Sequence, residues 1–224
     1  MDKNSMTIKP GLAAPELRIS EWIQGTPIQL SELQGRVVII EVFQVNCPGC
    51  FLYGLPEILE IAAKHKNEPL TVIGLATAFE DFDINTKDNL QKLLQTGELV
   101  GETARVLKEH DWATDNKLRY TIPIPVAMDR LGEGSRLDTV SQIERIIERD
   151  ITNFDRLSYG EQGRIRESIL KYLNERTLVP ETFDLYNLSG TPSSIVIDKK
   201  GILRHIQFGS TGNLEKIIRP LLTE

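Results

Sequence analysis

Residues 36–50 read RVVIIEVFQVNCPGC. The run through Val45 is dense in β-branched and aromatic residues and does not alternate with polar ones. That is the pattern of a strand buried on both faces of a sheet. FLYGLPEILEIAAKHK follows with helical spacing, so that Leu55, Ile58, Leu59 and Ala62 share a face. Pro56 is expected to kink this helix or to end its first segment. A buried strand running straight into a helix, with both cysteines of the chain at the junction, constrains fold and chemistry together.

The rest of the chain continues the rhythm. Residues 28–30 (IQL) read as a short strand, and LSELQG at 30–35 as a turn of helix closed by Gly35. LTVIGLA at 70–76 is a second buried strand. TKDNLQKLL opens at Thr86 with a helix-capping residue, and a further helix is expected from about Glu98 to His110. IPIPVAMD at 122–129 reads as a short strand with the prolines of a sheet edge. Residues 131–185 break the pattern. Ser141–Arg149 and Gln162–Asn174 are charged and amphipathic, with Ile143, Ile146, Ile147 and Ile165, Ile169, Leu173 as buried stripes. SSIVID, the turn KKG and ILRHIQF form a hairpin, and NLEKIIRPLL is a closing helix. The expectation is one α/β domain over 1–224, a sandwich of helices on a central mixed sheet, with a helical insertion at 131–185.

A chain of 224 residues has room for such a core, and 40% apolar with 26% charged residues is a globular composition. The net charge is −6 with no dense Lys/Arg run, which argues against nucleic acid as a partner. The opening MDKNSMTIKPGLAAPEL lacks the apolar core of a signal peptide. The longest apolar stretch, Val37–Ile40 with Val42–Phe43 beyond Glu41, is far too short to span a bilayer. These features lead to the expectation of a cytoplasmic protein without a membrane partner.

The spacing C-P-G-C admits three readings: a redox dithiol, half of a metal site, or two thiols in a core. Structural zinc wants four ligands, and the chain has no second pair, while His65, His110 and His205 stand singly. The position between strand and helix favours the dithiol. A cysteine at the start of a helix faces free backbone N–H groups and the positive end of the helix dipole, and both stabilise a thiolate. Cys47 is then the attacking thiol and Cys50, one turn on, the resolving one.

Three further features stand out. Glu41 lies inside the apolar strand, six residues before Cys47. It is either a solvated edge residue or a buried carboxyl with a raised pKa that can move protons near neutral pH. Gly190-Thr191-Pro192 precedes the strand at Ser194–Ile197. It is either an ordinary loop or a site for a cis peptide. Phe79-Glu80-Asp81 and Asp83 follow the second buried strand at its C-terminal end, the sheet edge that carries sites in open α/β folds. DFDINTKDN is not a calcium loop, because Thr86 stands in place of the turn glycine and Lys92 in place of the terminal Glu.

Taken together, APELRI…GTPIQLSELQGRVVIIEVFQVNCPGC (14–50), LTVIGLATAFEDFD (70–83), IPVAMD (124–129) and LYNLSGTPSSIVIDKKGILRHIQFG (185–209) resemble the thioredoxin-like redoxins, the TlpA-like and peroxiredoxin-related group. The resemblance covers about half the chain. It implies an exposed nucleophile at Cys47, a resolving Cys50 and a buried acid at Glu41. It further implies a substrate-binding rim of Pro48, Gly49, Thr191 and Pro192, with Pro192 as a cis-proline facing the disulfide and the Thr191 backbone pairing with an extended partner. There are departures. Gln44-Val45-Asn46 replace the tryptophan that usually precedes the first cysteine; Trp22 and Trp112 lie elsewhere. Pro56 is six residues past Cys50, one more than in thioredoxin. FQVNCPGCFLYGLP resembles instead a subgroup with the pattern FQ-x-x-CPGC-x-x-x-GLP. A Thr before the proline resembles disulfide isomerases and oxidants more than thioredoxin.

The implied activity is thiol–disulfide exchange without metal or organic cofactor. The implied partners are a disulfide-containing protein substrate and a dithiol electron donor. Two alternatives stand beside it. One is a thiol peroxidase, although Gln44 replaces the hydroxyl residue three before the cysteine and Ile40 the proline of that motif. The other is a redox-sensing interaction module built on the 131–185 helices.

Overall fold

The computed structural model describes residues 8–133 and 139–224. Residues 1–7, part of the stretch inspected for a signal peptide, and 134–138, within the expected insertion, lie outside the described residues.

The strands and helices run in the order β1 (Ile19–Gln24), β2 (Val37–Phe43), α1 (Leu55–Lys64), β3 (Leu70–Ala76), α2 (Lys87–Thr96), α3 (Gly101–Glu109), β4 (Ala113–Thr114), β5 (Lys117–Leu118), β6 (Val126–Asp129), β7 (Leu131–Glu133), α4 (Thr139–Asp150), α5 (Tyr159–Glu175), β8 (Leu178–Pro180), α6 (Glu181–Leu185), β9 (Ser193–Ile197), β10 (Leu203–Phe208) and α7 (Leu214–Thr223). The main sheet has the order β1-β6-β3-β2-β9-β10. β2 and β3 are parallel, as are β3 and β6, while β1, β9 and β10 join antiparallel.

All seven residues of β2 are buried, because both faces of the strand are covered. Val37, Ile39 and Phe43 pack with α1 and α7 through Leu55, Ile58, Ile61, Leu214 and Ile218. Val38, Ile40 and Val42 pack on the opposite side with Phe183, Tyr186 and Leu188. Alternation along a strand therefore puts Glu41 on the α1 side. On α1, Leu55 and Ile58 are buried as the spacing predicts, but Ile61 is the third buried position, and Leu59 and Ala62 are only half-buried.

Several sequence expectations are corrected. Residues 28–30 are not a strand. The N–H groups of Leu30 and Ser31 donate to the Glu16 carboxylate, and Leu30 opens a 3-10 turn that ends at Leu33. The first strand is Ile19–Gln24, a half-exposed edge strand with two register irregularities that blur its alternation. Residues 122–129 do not form an edge strand. Only Val126–Asp129 is strand, and it lies between β1 and β3. The preceding Pro-rich segment has its carbonyls bound at Ile122 and Ile124 by the Gln24 side-chain amide, at 2.6 and 2.7 Å. The helix expected over 98–110 is shorter, Gly101–Glu109.

Within the expected insertion, α4 and α5 share a small apolar cluster of Ile143, Ile147, Phe154 and Leu173. β7 pairs antiparallel with β8 at its base. Phe183 of α6 belongs instead to the main core.

Candidate active site

The backbone leaves β2 at Phe43, turns through Val45 and Asn46, and enters a helix at Pro48. Cys47 is the cap of that helix and Pro48 its first residue, where the missing N–H costs nothing. The Cys50 N–H points at Cys47 Sγ at 3.2 Å, so a thiolate there would accept from the first turn. Cys47 and Cys50 are joined in a disulfide with Cα atoms 5.4 Å apart. Cys47 is half-buried, and Cys50 is 0% exposed. The outer sulfur is thus the one a partner can reach.

Residues Cys50–Gly54 form a π-helical turn before α1. The Leu55 N–H reaches back to the Cys50 carbonyl. By the same five-residue step the Phe51 carbonyl would meet residue 56, but Pro56 has no N–H. The Tyr120 hydroxyl fills that place, donating to the Phe51 carbonyl at 2.8 Å. Pro56 therefore marks the boundary between the π turn and α1, as the sequence leads one to expect.

Glu41 is 0% exposed. Its Oε2 accepts from the Ser194 hydroxyl at 2.5 Å, across the β2–β9 pair in which the two residues are register partners. Its Oε1 has no hydrogen-bond partner among the described residues. Burial pushes this carboxyl up to about 8; the Ser194 bond pulls the other way, and the charge of Glu57 adds to the rise. The free oxygen faces Gly54. A Cβ built there would lie 2.3 Å from Glu41 Oε1 and 2.7 Å from Pro192 Cβ. Gly54 is one helical turn from Cys50, a spacing of roughly 6 Å between side-chain positions. The acid therefore lies against the helix one turn beyond the buried cysteine, and it fits only because residue 54 has no side chain. The edge-residue reading of Glu41 does not hold.

The Thr191–Pro192 peptide is cis. Pro192 is buried against the helix start, its Cδ 3.8 Å from where a Gly49 side chain would begin. The Thr191 carbonyl oxygen lies 3.6 Å from Cys47 Sγ. Cys47, Pro48, Gly49, Cys50, Thr191, Pro192 and Glu41 are thus gathered at one end of β2 and β9.

Three residues to which the sequence reading gave no structural role, Asn46, Gly54 and Gln44, hold this end in place. The Asn46 side-chain oxygen accepts from the Glu102 N–H at 2.8 Å, at the start of α3, and its amide donates to Asp81 at 2.8 Å. The acidic loop after β3 therefore touches the residue before Cys47. The signal for Gly54 was present in the sequence, since a glycine in a helix interior costs about 1 kcal/mol against alanine and asks for a packing reason. Gln44 is buried, and its side-chain carbonyl accepts the Phe79 N–H at 3.3 Å. Among the described residues no three His, Cys, Asp or Glu side chains converge as a metal site.

No protein-family model matches the sequence, and no curated relative does. Solved structures do match. A thioredoxin-like superfamily protein, SPOA0173, superposes with a TM-score of 0.59 at 26% identity, over 96% of this chain and 98% of its own. A thiol-disulfide isomerase from Corynebacterium glutamicum superposes with a TM-score of 0.57 at 25% identity, again over 96% and 98%. The chain has a thioredoxin-like fold. In this thioredoxin-like chain the CPGC motif carries a disulfide at the first turn of the helix that follows the central strand. No helix among the described residues is long and apolar enough to cross a membrane.

Proposed function

We propose that the chain is a thiol–disulfide oxidoreductase of the TlpA-like, peroxiredoxin-related kind, one domain over 1–224 with 131–185 inserted in it. The observation that carries this is the asymmetric Cys47–Cys50 pair. One sulfur is reachable and rests on a helix N-terminus, while the other is buried one helical turn from a carboxyl held near 8. The Cys47 thiolate attacks a partner disulfide and forms a mixed disulfide, releasing one partner thiolate. Cys50 then attacks the Cys47 sulfur, releases the second partner thiolate and leaves the intramolecular disulfide. Glu41 takes the Cys50 proton through a water molecule. Thr191 and Pro192, with Pro48 and Gly49, form the rim on which the partner lies. A separate dithiol donor reduces the pair again.

Peroxide reduction is less well supported. Among the described residues the polar groups at Cys47 Sγ are the Cys50 N–H and the Thr191 carbonyl, and neither is the hydroxyl or guanidinium donor that activates a peroxide.

Reduction of insulin disulfides tests the proposal. The wild type should turn over, Cys47→Ser should be inactive, and Cys50→Ser should accumulate a mixed disulfide through Cys47. Peroxide consumption that outpaces disulfide exchange would contradict it.

A further inference from the structure

A cavity of about 300 Å³ lies where the insertion meets the core, lined among others by Phe79, Glu80, Arg145, Arg149, Arg176 and Ser189. Its three arginines are not equivalent. Arg149 pairs with both oxygens of Asp150, at 2.8 and 2.6 Å, and Arg176 with both oxygens of Asp184, each at 3.1 Å. Arg145 has no carboxylate partner among the described residues. Its Nη2 donates to the backbone carbonyls of Asp184 and Leu185 at 3.1 and 3.3 Å. Its Nε has no hydrogen-bond partner among the described residues, although the residue is only 8% exposed. The Asp184 charge acts on it from nearby, but that carboxylate is hydrogen-bonded to Arg176. A buried guanidinium with a spare donor and no carboxylate bonded to it is costly unless a ligand completes it. Glu80, on another wall, is exposed.

Two walls of the cavity lead by short stretches of chain to the dithiol. Ser189 is two residues from Thr191, hence at most about 8 Å away between Cα atoms, and the Thr191 carbonyl touches Cys47 Sγ at 3.6 Å. On the other wall, Glu80 precedes Asp81, which binds Asn46 beside Cys47. Arg149 also donates to the Leu188 carbonyl, so α4 grips the segment that leads to Pro192.

We propose that this cavity is an anion site for a carboxylate-bearing small-molecule disulfide, with Arg145 binding the carboxylate while the disulfide lies at Cys47. The volume suits a ligand of tripeptide size or less. An extended tripeptide spans roughly 10 Å, so a disulfide of that size can carry its carboxylate well away from its sulfur. Planar guanidinium groups suit a carboxylate, which can accept two parallel bonds. The chemistry balances: the reduced Cys47–Cys50 pair and one disulfide RSSR give two RSH and the Cys47–Cys50 disulfide, with the pair oxidised and the ligand reduced. This inference rests on the exchange activity proposed above.

The test compares three small disulfides as oxidants of the reduced protein: glutathione disulfide (anionic), 2-hydroxyethyl disulfide (neutral) and cystamine (cationic). The expected order is anionic over neutral over cationic, with a preference of about tenfold for the first, the scale of one charge-assisted hydrogen bond. In Arg145→Gln the ratio of anionic to neutral rates should fall to about one. Arg145 also holds backbone carbonyls, so a second measurement on the wild type covers the case in which that variant does not fold. Succinate added to the wild type should then slow the anionic reaction competitively and leave the neutral one alone. Equal rates for the three disulfides, or a preference that persists in a folded Arg145→Gln, or succinate without effect, would overturn the anion site while leaving disulfide exchange intact. If no disulfide, neutral ones included, oxidises the wild-type pair, the exchange activity itself fails and the anion site falls with it.

Discussion

A carboxyl group inside a fully buried strand has an energetic cost that depends on pH. Glu41 is held near 8 in the folded protein against an ordinary value of 4.5. Between these limits the folded chain keeps a proton that the unfolded chain has released. The stability that this proton confers is complete below about 4.5 and is lost as pH rises through 8. The loss is on the order of 3–5 kcal/mol. Asp129, raised to about 6 by burial, has the same sign but is spent by pH 6, so the window from 6 to 8 reports Glu41. Urea denaturation across that window should show wild-type stability falling steeply and Glu41→Gln nearly level; parallel slopes would contradict the assignment. The same variant should slow release of a mixed disulfide by about a hundredfold if the carboxyl is the base. Gly54 sets a second residue-scale expectation. Helix propensity alone favours Gly54→Ala by about 1 kcal/mol. The new methyl would lie 2.3 Å from Glu41 Oε1 and 2.7 Å from Pro192 Cβ, and overpacking of that kind costs about 1–3 kcal/mol. The clash should win, so thermal unfolding should show a destabilised protein. An unchanged or raised Tm would mean that Glu41 and Pro192 yield easily.

The elements near the dithiol are held by polar groups that reach across from elsewhere in the chain. Tyr120 is 69 residues from the carbonyl it serves. Tyr120→Phe would leave the Phe51 carbonyl without its donor, at a cost of about 1–3 kcal/mol measured by denaturant titration; a change under about 0.5 kcal/mol would show that solvent replaces the hydroxyl. This long reach also explains what the sequence disclosed and what it did not. β2 and β3 were legible because each is a short, β-branched, nearly continuous apolar run, buried throughout in β2 and at every residue but Thr71 in β3, and the helix after Cys50 because its apolar residues recur at helical spacing. The Thr86 cap was legible because its hydroxyl accepts from the N–H only three residues on. β1 was not, since it is an edge strand whose burial does not alternate. Nor was the Asn46 cap on α3, whose donor lies 56 residues away. The π turn depends on Pro56 together with Tyr120, and no local pattern announces the second partner.

At the scale of the molecule, two large apolar clusters sandwich the central sheet, and a much smaller one holds α4 to α5. Four buried apolar residues in that third cluster stabilise far less than the sheet core does. Hydrogen exchange should therefore open α4 and α5 well before β2 and β3; equal protection would mean that the helices and the sheet unfold as one unit. Of the site, the cysteine pair and the acid could be named from the sequence, because each broke a local pattern. The arginine-lined cavity could not, because α4, α5 and the segment 184–189 meet only in the fold. The central claim is that Cys47 and Cys50 cycle between a dithiol and an intramolecular disulfide. The most direct test equilibrates the protein against a series of glutathione ratios and reads both thiols by alkylation and mass shift. The account predicts one two-electron transition in which both alkylations are lost together, at a potential between about −270 and −120 mV. Two thiols that titrate independently, or that form no bond with each other at any ratio, would contradict it.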